Sequence, residues 1–215
     1  MLRRQILFMA TVVSMTFAMP ALAFTEGTDY VKLDQPLPNA EGKVTKLFSY
    51  DCPFCYKYAK AVDKIVMSKV PELTFEPMHL RTKGKYGIEG SKLMAVALVA
   101  DETTGLKPLD AKSNFHKVEM ALYKAYHDKK QRWNEGADAF LKTGLDAIGM
   151  ERVDFDKACD DPKVKTLIEY WEAAYPIAKM QGVPAYVVDG KYLIMTKSIT
   201  SIDGMVNLMK ELASK

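Results

Sequence analysis

Apolar and polar positions change rhythm several times along this chain. Val44 to Tyr50 is rich in apolar and β-branched residues and reads as a strand. From Pro53 to Lys69, Tyr58, Val62, Ile65 and Val66 recur at helical spacing, and Pro71 marks the end of that helix. Leu73 to Leu80 alternates loosely, as a second strand does. These three segments form a β-α-β unit. A shorter extended piece at Tyr30 to Leu33 and a loop at Gln35-Pro36-Leu37-Pro38-Asn39 precede it. The middle of the chain has a different character. Ser91–Ala100, Asn114–Lys129, Glu135–Ile148 and Phe155–Ala158 read as successive helices, punctuated by Gly105, Pro108, Gly144 and Gly149. Pro162 to Met180 reads as one long helix that Pro176 kinks or breaks. Beyond Gln181-Gly182-Val183-Pro184 come a strand at Ala185–Val188, a two-residue Asp189-Gly190 turn and a return strand at Tyr192–Met195. Thr200 or Ser201 caps a last helix running to about Ala213.

The element order is β-α-β, then helices, then β-β-α. In fold class this is α/β: a thioredoxin fold with an inserted α-helical domain. The expected division is 24–85 for the first half of the fold, 86–160 for the insertion and 161–215 for the second half. Residues 1–23 read as a cleaved signal peptide: Arg3 and Arg4 are followed by an apolar stretch from Ile6 to Ala18 and the small-x-small site Ala21-Leu22-Ala23. The alternative is an uncleaved membrane anchor, for which the apolar run is short against a span of about 20 residues. Removing Arg3 and Arg4 lowers the formal net charge from +3 to +1. A nearly neutral chain gives no reason to expect nucleic acid as a partner. Cleavage leaves 192 of the 215 residues, enough to bury a core without covalent staples. Three cysteines therefore do not staple the fold, and export implies a compartment where a disulfide persists.

Cys52-Pro53-Phe54-Cys55 carries the chemistry, because it sits where the first strand meets the first helix. A thiol at a helix start faces unpaired N–H groups and the positive end of the helix dipole, and both favour the thiolate. Thiolate is the attacking species in disulfide exchange. Pro53 suits the first helical position, where its missing N–H has no partner to lose. Cys52 is then the exposed nucleophile, and Cys55, one turn in, the resolving thiol. Two other readings stand beside this one. A structural clip between residues 52 and 55 closes too short a loop to gain much from chain entropy. A zinc site needs about four ligands, and Cys159, His79, His116 and His127 lack paired spacing. These three histidines and Cys159 read as structural. The second mark is Gly182-Val183-Pro184 ahead of a strand, where a cis Val183–Pro184 bond facing the cysteines would let Val183 offer its N–H and C=O to a passing peptide.

Phe48-Ser49-Tyr50-Asp51-Cys52-Pro53-Phe54-Cys55-Tyr56 and Gly182-Val183-Pro184-Ala185-Tyr186-Val187-Val188-Asp189-Gly190-Lys191-Tyr192 resemble the two signature stretches of the DsbA family of bacterial periplasmic thiol oxidases. The Pro53-Phe54 dipeptide is similar to that of the DsbL branch. The resemblance covers essentially the whole mature chain. It implies a periplasmic thiol:disulfide oxidoreductase that donates its Cys52–Cys55 disulfide to exported proteins with free thiols. It further implies reoxidation by a DsbB/DsbI-type quinone-linked membrane oxidase and, for the DsbL branch, an arylsulfate sulfotransferase as client. The redox-active disulfide is the working group, with no metal, nucleotide or flavin. A monomer is expected, because no dimerisation module fits between Phe24 and the first β-α-β unit. Two alternatives remain: a disulfide isomerase or reductase with a more reducing potential, and a thioredoxin-fold peptide-binding chaperone whose CxxC is only a clip.

The chain departs from the family in its charges. Phe54 replaces a histidine whose positive charge favours thiolate. Lys46 stands where the family has a buried glutamate, and Pro77 where it has the paired lysine. Alternation suggests Lys46 pairs with Glu76 on the neighbouring strand, or that both are solvated. Lys60, with Lys57 and Lys64, makes the catalytic helix basic, which favours thiolate and an acidic client surface, or is merely a solvated face. Phe54, Tyr56, Tyr58 and Tyr186 line an apolar client groove or pack inside. The expected thiol lies nearer DsbA, with pKa about 3.5 and potential about −120 mV, than thioredoxin at about −270 mV.

Overall fold

The computed structural model describes residues 24–215; the leader read at 1–23 lies outside the described residues. The strands, in chain order, are β1 (Tyr30–Lys32), β2 (Lys43–Phe48), β3 (Thr74–His79), β4 (Ala185–Val188) and β5 (Tyr192–Ile194). They lie side by side as β1-β5-β4-β2-β3. β2 and β3 are parallel, and the other neighbours are antiparallel. The helices are α1 (Pro53–Ala61), α2 (Asp63–Ser68), α3 (Gly87–Thr104), α4 (Asn114–Tyr123), α5 (Ala137–Ile148), α6 (Arg152–Ala158), α7 (Pro162–Trp171), α8 (Ala174–Gln181) and α9 (Ile202–Ala213). This is the thioredoxin fold with a helical domain inserted between its halves.

β2, β4 and β5 are the inner strands, and every residue of the three except Lys43 is buried. They therefore read as nearly continuous apolar runs rather than alternating ones. One sheet face carries Val44, Tyr186, Val188 and Ile194, packed with Val66 of α2 and Met205, Leu208 and Met209 of α9. The other carries Leu47, Val187 and Leu193, packed with Leu93, Phe115, Phe140 and Trp171 from the helices. Each such large side chain contributes roughly 1.5–3 kcal/mol through burial.

Asp189 and Gly190 both have positive φ, at 55° and 68°, and Lys191 N–H donates to the Val188 carbonyl at 3.0 Å. The register pairs Val188 with Tyr192, so Lys191 joins the connection and the turn is one residue longer than the sequence suggests. A Cβ at Gly190 would sit 2.7 Å from the Leu37 carbonyl oxygen, which admits only glycine there. Gly144 serves a second close approach: its Cβ would meet Leu93 Cδ2 at 2.1 Å, where α5 crosses α3. Ser201 Oγ accepts the Gly204 N–H at 3.0 Å and caps α9.

One helix expected to be continuous is divided, and the break expected from Pro176 comes a turn ahead of it. The segment after Pro53 breaks at Val62 (φ −121°, ψ −56°), and the break turns Asp63, only 2% exposed, into the core. The Pro162 segment breaks at Glu172 and Ala173, ahead of Pro176. The proline ring clashes with the carbonyl four residues earlier, at Glu172, and Pro176 then occupies the first turn of α8 where no N–H is needed.

Candidate active site

β2 ends at Phe48, and the three residues after it deliver Cys52 to the start of α1. Tyr50 anchors that loop. Its ring is buried and nearly parallel to His79 at 6.0 Å, and its hydroxyl accepts the Tyr86 N–H at 2.9 Å. Burial pushes the Tyr50 hydroxyl up to about 12 and the His79 imidazole down to about 3, so both stay neutral at physiological pH. Ser49 Oγ donates to Asp51 at 2.7 Å, and Cys52 N–H donates to the Ser49 carbonyl at 3.2 Å.

Cys52 is the N-cap of α1, with Pro53 at the first helical position. Its sulfur accepts the Cys55 N–H at 3.2 Å. It is half-buried, whereas Cys55 is fully buried; both are free thiols. The Cys55 thiol donating to it, with the N–H groups of Cys55 and Phe54, outweighs burial and the Asp51 carboxylate and brings Cys52 down to about 7. Burial, then the neighbouring Cys52, pushes Cys55 well up, with Lys46 opposing. The pair is asymmetric: an accessible sulfur that ionises near neutrality above one that holds its proton. Phe54 supplies no charge, and the basic residues of α1 are not among the strongest influences on the sulfur.

The Val183–Pro184 peptide is cis. It brings the Val183 carbonyl within 3.2 Å of Cys52 Sγ, where the protonated thiol donates to it. Val183 is half-buried, lies in no strand and borders β4. Phe54, between the two cysteines in the first turn of α1, is 63% exposed. Tyr56 and Tyr186 are buried, so they pack rather than line a groove, and Tyr58 is half-buried.

The expected Lys46–Glu76 pair does not form. In the β2–β3 register Glu76 lies opposite Thr45 and Lys46 opposite Pro77, so the lysine leaves the other face of the sheet. Glu76 accepts from Lys43 at 2.7 Å, Thr45 at 2.9 Å and Tyr170 at 3.2 Å, away from the thiols. Lys46 instead runs through the core to Asp63 at 2.5 Å and Glu119 at 3.6 Å. Asp63 also accepts the Tyr186 hydroxyl at 2.5 Å. Burial lowers the Lys46 pKa, but Asp63 and Glu119 together outweigh it and raise the value. Burial raises Glu119 to about 7, against the pull of Lys46. Lys46 acts on Cys55 rather than on Cys52. Lys57 and Lys60 are exposed, and Lys60 Nζ lies 4.6 Å over the Tyr56 ring.

Sequence reading missed Asp63 and Glu119. A signal existed: both are acidic residues among helical apolar positions, Asp63 three before Val66 and Glu119 four after Phe115. Cys159, half-buried, packs against the core, and burial raises its thiol.

A family model for the DSBA-like thioredoxin domain matches residues 43–210. The chain is 53% identical over 214 residues to the thiol:disulfide interchange protein DsbL of Lelliottia amnigena, covering 97% of this chain and 96% of that one. It is 32% identical over 183 residues to the thiol:disulfide interchange protein DsbA of Salmonella typhimurium, covering 84% and 81%. The crystal structure of Salmonella enterica serovar Typhimurium DsbL superimposes with a TM-score of 0.87 at 56% identity, covering 91% of this chain and all of the other.

Proposed function

The chain belongs to the DsbA family and is a thiol:disulfide interchange oxidoreductase; from that premise we propose that it works as a disulfide donor to exported proteins in the periplasm. A client thiolate attacks Cys52 of the oxidised pair, and Cys55 leaves with the electrons of the broken S–S bond. A second client thiolate attacks the mixed disulfide, so the oxidised client departs and Cys52 leaves as thiolate. A DsbB/DsbI-type quinone-linked membrane protein takes the two electrons back and restores the Cys52–Cys55 bond.

The observation that carries this reading is the asymmetry of the pair: one accessible sulfur held by helix-start N–H groups, one buried sulfur behind it. Stabilising the reduced form through the Cys52 thiolate makes the disulfide more oxidising. Val183 provides backbone groups for an extended client segment, and Phe54 an apolar contact for its side chains. Pro53 and Phe54 tune the thiol, and Lys46 tunes Cys55 from below. The basic surface of α1, with Lys57 and Lys60, supports a client with acidic surface, and the DsbL-like Pro53-Phe54 dipeptide supports an arylsulfate sulfotransferase among the clients.

The test is a trap. Cys55→Ala removes the resolving thiol, so the Cys52 thiolate should attack the disulfides of oxidised exported proteins, expel one client thiolate, and hold the client as a mixed disulfide that reductant releases. The oxidised protein should convert a reduced, unfolded client to its disulfide form, and Cys52→Ser should abolish this. A Cys52→Ser variant with unchanged turnover would refute the reading, as would a wild-type protein that only reduces disulfides.

A further inference from the structure

Beyond Tyr123 the α4 helix widens into a single π turn, Lys124–Asp128, closed by Lys129 N–H donating to the Lys124 carbonyl at 3.0 Å. Such turns are rare and gather at functional sites. Two consecutive residues of this one reach the thiol end from the helical insertion. His127 Nε2–H donates to the Tyr50 carbonyl at 3.1 Å, two residues ahead of Cys52. Its imidazole stacks on the Tyr56 ring, with centroids 5.5 Å apart and planes 18° apart. Asp128 accepts the Tyr56 hydroxyl at 2.7 Å. Tyr56 directly follows Cys55, and its N–H donates to the Cys52 carbonyl at 3.2 Å. The turn therefore grips the chain on both sides of the two cysteines, at the carbonyl of residue 50 and at the ring and hydroxyl of residue 56. The charged groups facing His127 are Asp51 on the thiol loop and Lys130 and Arg132 beyond the turn.

Resting on the oxidoreductase reading above, we propose that this π turn is a clamp on the thiol loop, with His127 and Asp128 as positioning residues that keep the Phe54 and Cys55 amides aimed at the Cys52 sulfur. Both residues reach α1 from this turn, His127 over the Tyr56 ring and Asp128 at the Tyr56 hydroxyl. Hydrogen bonds weaken steeply with misalignment, so a small rotation of the first turn of α1 against the Tyr50–Asp51 lead-in removes thiolate stabilisation without touching sulfur. Neither residue contacts the cysteines in this arrangement; they act through Tyr50 and Tyr56.

The readout is the pH midpoint of Cys52 ionisation in the reduced protein, followed by ultraviolet thiolate absorbance. In Asp128→Ala and in Tyr56→Phe the midpoint should rise by about half a unit to one unit, which is roughly three- to tenfold less thiolate below it. Asp128→Asn, which keeps an acceptor oxygen, should restore most of the wild-type value. His127→Phe, which keeps a ring but no donor, should shift the midpoint in the same direction. Tyr56→Phe combined with Asp128→Ala should shift it no further than either alone, because both remove one bond. Folded variants that lose thermal stability yet keep the wild-type midpoint would show ordinary packing and overturn the proposal. Should Asp128→Ala not fold, Tyr56→Phe and His127→Phe decide the matter on the same readout. Oxidation of a reduced cysteine peptide by the wild-type protein is measured alongside: its failure would defeat the disulfide-donor reading, whereas the midpoint is read without any client.

Discussion

Lys43 and Lys46 stand three residues apart on β2, so they leave opposite faces of the sheet, and they live in opposite worlds. Lys43 meets Glu76 at 2.7 Å with the side chains 31% and 16% exposed. Lys46 meets Asp63 at 2.5 Å with both side chains 1% exposed, and a second carboxylate, Glu119, lies 3.6 Å away. At the first pair water remains an alternative partner, so the bond replaces hydration rather than rescuing a charge. At the second no water competes, and three ionisable groups depend on one another. Of the two, Lys46 is the one whose charge is felt by a cysteine, Cys55. A charge pair matters to this protein's chemistry where it is dry.

The sharpest way to break the contrast is Lys46→Met. It strands Asp63 and Glu119 and should destabilise by about 3–5 kcal/mol in chemical denaturation. A loss below about 1 kcal/mol would mean the buried carboxylates are neutral without it.

Next comes Glu119. Its folded pKa of about 7 lies above its ordinary 4.5, so the folded protein holds a proton that the unfolded chain releases. That contribution to stability is complete below about 4.5 and is lost as pH rises through about 7. Glu119→Gln should remove this slope. Relative to wild type, the variant should gain on the order of 3 kcal/mol between pH 4.5 and 8. Parallel stability–pH curves for the two proteins would contradict it.

The contrast then extends to the thiol end. Phe54 is 63% exposed, so a charge placed there is partly screened. Phe54→His should still lower the Cys52 midpoint by about one unit when the imidazole is protonated, as read by rates of alkylation against pH. An unchanged midpoint would show that the amides and Cys55 already set it alone. The smallest effect is expected at the wet pair: Lys43→Met should change stability by less than about 1 kcal/mol and leave the Cys52 midpoint unmoved. A larger effect on either would erase the distinction between the two lysines.

The order of elements was legible because it depends on local pattern. The Val44 run, the helix after Pro53 and the Asp189-Gly190 turn each announce themselves within a few residues. So did the chemistry at Cys52 and Cys55, since a helix start and a two-residue spacing are visible locally. What stayed hidden depends on register and on distant partners. Lys46 was matched with Glu76 by counting along two strands, and an offset of one residue sent it to the opposite face. Asp63 enters the core only because the helix breaks at Val62, where the residue type gives no warning. His127 showed no partner in sequence, because its partners are the Tyr50 carbonyl and the Tyr56 ring, 77 and 71 positions earlier. For Tyr186 the sequence left a client groove and inward packing both open, and the hydroxyl's bond to Asp63 shows the second.

The crossing of α5 over α3 at Gly144 carries a consequence for genetics. Phe140, one turn earlier on α5, packs 4.9 Å from the Tyr50 ring that anchors the loop into Cys52. An alanine at 144 would push first on the tip of the Leu93 side chain, which must turn away within a closely packed seam. A saturation survey scored by activity should therefore find tolerance at this side-chain-free position falling as the substituent grows, from far outside the reactive centre.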